Sequence, residues 1–196
     1  MSGDHTSSVI SAQVRHVEAL LESRGLLDAG EIDGRIDEFL AGGSPANGAR
    51  IAARAWVDPD FSERLLADAN SAIRGLGLSM AGGLQEQRLK VVANSAEEHN
   101  LVVCTLCSCY PIALLGPSPG WYKSEAYRSR VVRDPRAVLR EFGFELPQTT
   151  RISVWDASAE SRYMVVPRRP PGTDGLSEEQ LAGLVTRKGL IGTAAV

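Results

Sequence analysis

The sequence predicts an α+β protein: a helical arm over residues 1–75, then a mixed α/β domain over 76–196 that carries a metal-binding loop. Three observations predict it. Before Gly75, apolar residues recur at helical spacing. After Gly75, glycines and prolines punctuate short β-branched runs and fresh helix starts. All three cysteines fall in one stretch, Cys104-Thr105-Leu106-Cys107-Ser108-Cys109, directly after such a run.

Residues 1–8 read as a disordered polar tail. Val9, Ile10, Val14, Val17, Leu20 and Leu21 then share a helical face up to Arg24, and Gly25 stops the helix. Glu31 to Leu40 makes a second amphipathic helix, ended by Gly42-Gly43. Pro45 opens a third, running through Ile51 and Arg54 to about Val57. Asp58-Pro59 is an N-cap followed by proline at the first helical position. The helix it starts carries Phe61, Leu65, Leu66 and Ile73 to Gly75. Such helices need a surface to lie on. A first half built only of them is expected to be an arm packed on another body.

Gly75, Gly77, Gly82 and Gly83 mark loops, and their spacing fits no phosphate-binding pattern followed by a helix. Arg88 to Ala93 and Asn100 to Val103 read as strands, the second feeding into the cysteines. Pro111, Pro117 and Pro119 keep the next segment extended. Gly120 to Val132 is a helix dense in basic and aromatic residues. Asp134-Pro135 caps another, ended by Gly143. Arg151 to Trp155 and Arg162 to Val166 are strands with a turn between them. Pro167 to Gly175 is a loop, and Ser177 caps the last helix.

Composition excludes several classes. The chain has 196 residues, 43% of them apolar, enough for a core. With 24 acidic and 21 basic side chains it carries −3, which argues against a nucleic-acid footprint. No apolar run is long enough to span a bilayer. The first residues lack the regions of a signal peptide, and the clustered cysteines argue against a disulfide framework. A cytoplasmic protein is expected.

The cysteine spacing is C-x-x-C-x-C. A structural zinc site needs a fourth ligand, and only His99 is local. An iron–sulfur cluster normally needs four thiolates. A C-x-x-C redox pair would leave Cys109 without a role. If the amides of Ser108 and Cys109 lose their protons, the sulfurs of Cys107 and Cys109 and the two nitrogens can lie in one plane. Cys104 caps that plane from one side, and the other side stays open. This donor set suits a low-spin trivalent iron or cobalt ion rather than zinc. Such an ion would polarise a bound ligand or acidify a bound water.

This stretch resembles the metal-binding motif of the nitrile hydratase α-subunit family. The resemblance continues through Gly120-Trp121-Tyr122-Lys123-Ser124, Tyr127 to Arg136, Glu160 to Pro167, Gly172-Thr173-Asp174-Gly175 and Leu190-Ile191-Gly192. It implies stacked sheet and helix layers in an α-β-β-α order, with the metal claw on a loop. Thr105 and Tyr110 resemble the cobalt type; the iron type usually has Ser and Thr there. The related thiocyanate hydrolase metal subunit carries the same claw and stays as a rival. A metal-trafficking module, without catalysis, is a third reading.

The resemblance also implies roles. Cys107 would become a sulfinate and Cys109 a sulfenate, with Cys104 left as thiolate. The activity implied is hydration of a nitrile to an amide, the attacking oxygen coming from water or from the Cys109 sulfenate. Gln85 corresponds to a glutamine near the active site, and Ser108 supplies a backbone nitrogen and a hydroxyl. Asp156, Glu160 and Arg162 would form a charged network behind the metal. A β subunit is implied as partner, supplying arginines to the oxidised sulfurs, with an activator or metallochaperone for loading. Arg128, Arg130 and Arg133 could supply such donors in cis, but are expected at solvated helix positions or in structural ion pairs. After the claw the family usually has Tyr-Pro-Trp-Pro, whereas this chain has Tyr110-Pro111-Ile112-Ala113. With Ile112 beside Tyr110 in place of tryptophan, the substrate pocket should be wider and accept bulky or heteroaromatic nitriles.

Overall fold

The chain is seen in a computed structural model that describes residues 4–81, 86–107 and 109–196. It divides into two compact units, Met1–Phe39 and Leu40–Val196. The first holds α1 (Asp4–Ser23) and most of α2 (Glu31–Gly42). Helix α1 begins at Asp4, so residues 4–8 of the expected disordered tail are helical. Gly25, at φ 66°, breaks it as expected. Val9, Val14 and Val17 on α1 stay more than half exposed.

The second unit begins with α3 (Pro45–Val57), α4 (Pro59–Ala67) and α5 (Ala69–Arg74). Sequence reasoning placed all three in an arm ending at residue 75. Instead Ile51, Leu65 and Ile73 are fully buried in the core of the larger unit. One helix was expected from Pro59 to Gly75, and there are two. The Asp68 carboxylate accepts from Ser71 N at 3.2 Å and starts a new helix in mid-run. Gly48 lets α3 come close to its neighbours, since a Cβ there would meet Leu115 Cδ2 at 2.6 Å and Leu190 Cδ1 at 2.7 Å.

Four strands follow the helices: β1 (Arg88–Ala93), β2 (Glu98–Val103), β3 (Arg151–Asp156) and β4 (Ser161–Val166). They form two parallel pairs. Strand β1 runs beside β4 from Arg88↔Ser161 to Ala93↔Val166. Strand β2 runs beside β3 from Glu98↔Arg151 to Val103↔Asp156. Strands β1 and β2, joined by residues 94–97, therefore sit in different sheets, as do β3 and β4, joined by residues 157–160. Helices α3, α4 and α5 pack on the first sheet. The outer side of β3 meets α9 (Pro135–Glu141), giving the expected helix–sheet–sheet–helix order.

The segment after the cysteines holds α6 (Ile112–Leu115), α7 (Gly120–Lys123) and α8 (Glu125–Val131). An extended run was expected at α6. Proline is tolerated at a helix start, and the Pro111 carbonyl takes the first bonds, from Leu114 N and Leu115 N at 3.0 Å each. A single helix was expected from Gly120 to Val132. Ser124 divides it, because its hydroxyl caps Tyr127 N at 3.2 Å. The chain closes with α10 (Glu178–Leu184), opened by the Ser177 capping box, and α11 (Arg187–Ile191).

Gly192 follows α11 at φ 88°, and a Cβ there would lie 2.0 Å from Asn100 O. Buried His99 holds the same turn, its Nε2 lying 2.7 Å from Gly192 O. Nδ1 faces the Asn94 amide at 3.1 Å, so the ring is neutral and Nε2–H is the donor. Burial lowers the pKa of His99, with the Gly192 bond opposing.

Candidate metal centre

Strand β2 delivers its chain end to the centre of the unit. Leu101, Val102 and Val103 are buried, and Cys104 after them is fully buried. The chain then turns out to Leu106, which is 86% exposed, and returns to buried Cys109. This excursion brings the three sulfurs together. Cys104 Sγ and Cys107 Sγ are 3.6 Å apart, Cys107 Sγ and Cys109 Sγ 3.0 Å apart, and all three lie within 4.8 Å of one another. None is in a disulfide.

The loop is held from four sides. The Asp156 carboxylate, at the end of β3, accepts from Thr105 N at 2.9 Å and from Thr105 Oγ1 at 2.5 Å. Arg128, on α8, donates to Leu106 O at 3.2 Å and Thr105 O at 3.4 Å. Tyr127 OH donates to Val102 O at 2.7 Å, fixing the strand that enters. Tyr122 OH donates to Cys109 O at 2.9 Å, fixing the chain that leaves. Burial raises the pKa of both phenols, so they stay protonated donors.

Closeness of the thiols has an electrostatic consequence. The Cys109 thiol is pushed up to about 12, first by burial and then by its contact with Cys107; the Arg162 guanidinium acts in the opposite direction. Three thiolates at this spacing repel one another unless a cation neutralises them. Sulfur donors in this number fit a soft or borderline transition metal. Among the described residues, Arg162 Nε is buried without a hydrogen-bond partner. A buried, unpaired guanidinium donor of this kind suits an anionic centre nearby.

The predicted site residues are placed as follows. Cys104, Cys107 and Cys109 converge. Ser108 and Gln85 lie outside the described residues. Asp156, Glu160 and Arg162 were expected as one charged network, and no ion pair joins them among the described residues. Asp156 binds Thr105, and Arg162 donates to Ser158 O and, at 3.1 Å, to Ala159 O. Glu160 is exposed. Tyr110 is buried edge-on against Tyr122, ring centroids 5.0 Å apart, and Ile112 is half-buried at the start of α6. Arg130 pairs with Glu141, as expected for a structural arginine. Sequence reasoning gave no anchoring role to Tyr122, Tyr127 or Arg128. The available signal was two tyrosines in an aromatic helical stretch, since a buried phenol needs an acceptor.

Residues 8–194 match the profile of the nitrile hydratase alpha chain. The chain is 51% identical to the low-molecular weight cobalt-containing nitrile hydratase subunit alpha of Rhodococcus rhodochrous, over 94% of this chain and 88% of that one. It is 47% identical to the cobalt-containing nitrile hydratase subunit alpha of Pseudonocardia thermophila, over 97% and 93%. A mutant iron-type nitrile hydratase from Comamonas testosteroni Ni1 superposes with a TM-score of 0.86 at 39% identity, over 96% of this chain and 90% of that one. A thiocyanate hydrolase mutant superposes with a TM-score of 0.87 at 39% identity, over 94% and 88%. The chain belongs to the nitrile hydratase α-chain family, and nitrile hydratases are lyases. Within that family it stands with the cobalt-type subunits.

Proposed function

We propose that this chain is the metal-bearing subunit of a heteromeric cobalt nitrile hydratase, hydrating a nitrile to the corresponding amide. The observation that carries the reading is the convergence of the three sulfurs on one loop, in a chain 51% and 47% identical to two cobalt-containing relatives. Cys104, Cys107 and Cys109 hold the ion, with the amides of Ser108 and Cys109 completing the donor set. Bound there, cobalt supplies Lewis acidity toward the nitrile.

The protein's own part is to keep the loop in one shape. Asp156 fixes Thr105 by two bonds, and Tyr122 and Tyr127 fix the two ends. Donors already in place lose little freedom when the ion binds. Cys107 and Cys109 are the sulfurs that become sulfinate and sulfenate, while Cys104, fully buried, remains a thiolate. Arg162 Nε then finds an anionic group to pair with. Gln85 and the Ser108 hydroxyl orient the substrate or its water. Asp156, Glu160 and Arg162 tune the centre from behind, Asp156 through Thr105.

The β chain of the same family is the partner, and an activator loads the metal. Free cysteines accord with a cytoplasmic setting; among the described residues no helix is long and apolar enough to cross a membrane. Ile112 widens the pocket for bulky or heteroaromatic nitriles. The test is metal analysis joined to product analysis on the copurified subunits. One cobalt per chain and amide product are expected. Carbonyl sulfide and ammonia from thiocyanate, with no amide from any nitrile, would place the chain with thiocyanate hydrolase. Metal that exchanges freely with a chelator, with no turnover, would make it a trafficking module.

A further inference from the structure

A cavity of about 340 Å³ lies away from the metal loop, at the other end of β2, and is large enough for a small organic ligand. Buried His99 lines it, and β2 carries the chain from there to Cys104, about 17 Å along the strand. Its walls come from three segments, each pinned through the main chain. The 144–150 segment brings Phe144, Leu146 and Pro147. Arg136 holds it by donating to Leu146 O at 3.1 Å, Pro147 O at 3.0 Å and Thr150 O at 2.6 Å. The 167–171 segment brings three prolines. Arg169 holds it by donating to Thr173 O at 2.7 Å and Thr173 Oγ1 at 3.1 Å. Ala194 and Ala195 follow the Gly192 turn that His99 secures. Walls fixed in this way lose little freedom when a ligand enters.

The polar side chains along these walls are engaged, with one exception. Ser95 Oγ donates to Glu97 at 3.0 Å, and Thr150 Oγ1 to Ala96 O at 3.5 Å. The Asn94 amide bonds His99 and Asn100. The exception is Arg168, which is exposed; among the described residues its guanidinium has no hydrogen bond or ion pair. No Asp or Glu lines the cavity. A ligand therefore meets hydrocarbon, one aromatic ring and one cation at the mouth.

These features select a chemistry. A flat ring packs against Phe144 and the proline faces. A carboxylate matches the forked guanidinium and brings one charge for one cation. A phosphate dianion would set its second charge against apolar walls. We propose that this cavity is a second binding site, for a small aromatic carboxylate, with the ring inside and the carboxylate on Arg168. It stands apart from the sulfurs and does not depend on the reaction assigned to them.

Titration of 2-naphthoate into the copurified, cobalt-loaded protein tests it. In alanine-methyl-labelled protein the Ala194 and Ala195 resonances should shift and saturate as one site. Ala157, bonded to Val103 at the head of the metal loop, should stay in place. Arg168→Gln should weaken binding at least about tenfold. Arg168→Lys should weaken it less, since it keeps the charge and loses the fork. The neutral 2-naphthamide, with the same ring, should bind at least about tenfold more weakly than the acid. Equal affinity of the acid for the parent and Arg168→Gln overturns the proposal, as does equal affinity of acid and amide. Shifts confined to Ala157 place the ligand at the metal and overturn it too. So does the absence of any shift at about 10 mM ligand.

Discussion

Tyr122→Phe isolates one anchor of the sulfur loop. The substitution keeps the ring, so its edge-on contacts with Tyr110 and Trp121 survive. It removes one bond, the 2.9 Å donation to Cys109 O. Tyr122 is fully buried, so water does not replace the lost donor without a cavity. Leaving such an acceptor unsatisfied costs about 1–3 kcal/mol. For a chain of this size that is a fall in Tm of roughly 3–10 °C. The metal adds a second readout. If Cys109 is held in place by this bond, the variant should also lose cobalt faster under chelator challenge. Tyr127→Phe is the comparison, since it loses a bond of the same kind at Val102 O, before the first cysteine. Thermal melts and cobalt content of the three purified proteins make the measurement. A Tyr122→Phe protein melting within about 1 °C of the parent and retaining metal equally would refute the anchoring argument.

Further outcomes follow from the same geometry. Asp156→Ala should lower cobalt content and Tm, with Asp156→Asn recovering only part, because the amide accepts at one atom where the carboxylate accepts at two; metal analysis reads it. His99 has its pKa lowered from the ordinary 6.5 by burial, so the unfolded chain takes up a proton first. Its contribution to stability is complete above about pH 6.5 and falls as pH drops below that value toward the lowered one. His99→Gln should flatten this window in denaturation curves. Gly192→Ala meets both a positive φ and the Asn100 carbonyl, and should destabilise by more than about 3 kcal/mol in urea titrations. Ile112→Trp should lower kcat/KM for an aromatic nitrile at least about tenfold relative to acetonitrile, and equal loss for both would count against the pocket assignment.

Local signals in the sequence were read well where the side chain decides alone. Asp58-Pro59, Asp134-Pro135 and Ser177 each start the helix expected of them. The β-branched runs became strands within a residue or two of the expected ends. Strand pairing was not legible. Each strand's partner lies far along the chain, and nothing in Arg88 to Ala93 names Ser161 to Val166. Breaks at Asp68 and Ser124 were missed because a capping side chain in mid-helix competes with the backbone only when its local geometry allows. At the site, residue types pointed to the sulfurs but not to their supports. Asp156 was expected to pair with charges and instead grips Thr105. Arg128 was expected at a solvated or ion-paired position and instead holds two carbonyls of the loop.

The interleaving of strands between sheets bears on how this protein is born. Asp156 leaves the ribosome 51 residues after Thr105, whose amide and hydroxyl it grips. Neither β1 nor β2 can find its neighbour earlier, so a nascent chain stopped before β3 has emerged holds the three sulfurs without the scaffold that aligns them. Loading is then a late event, coupled to completion of the polypeptide. Delivery of the ion then has to wait for the finished subunit rather than the emerging peptide.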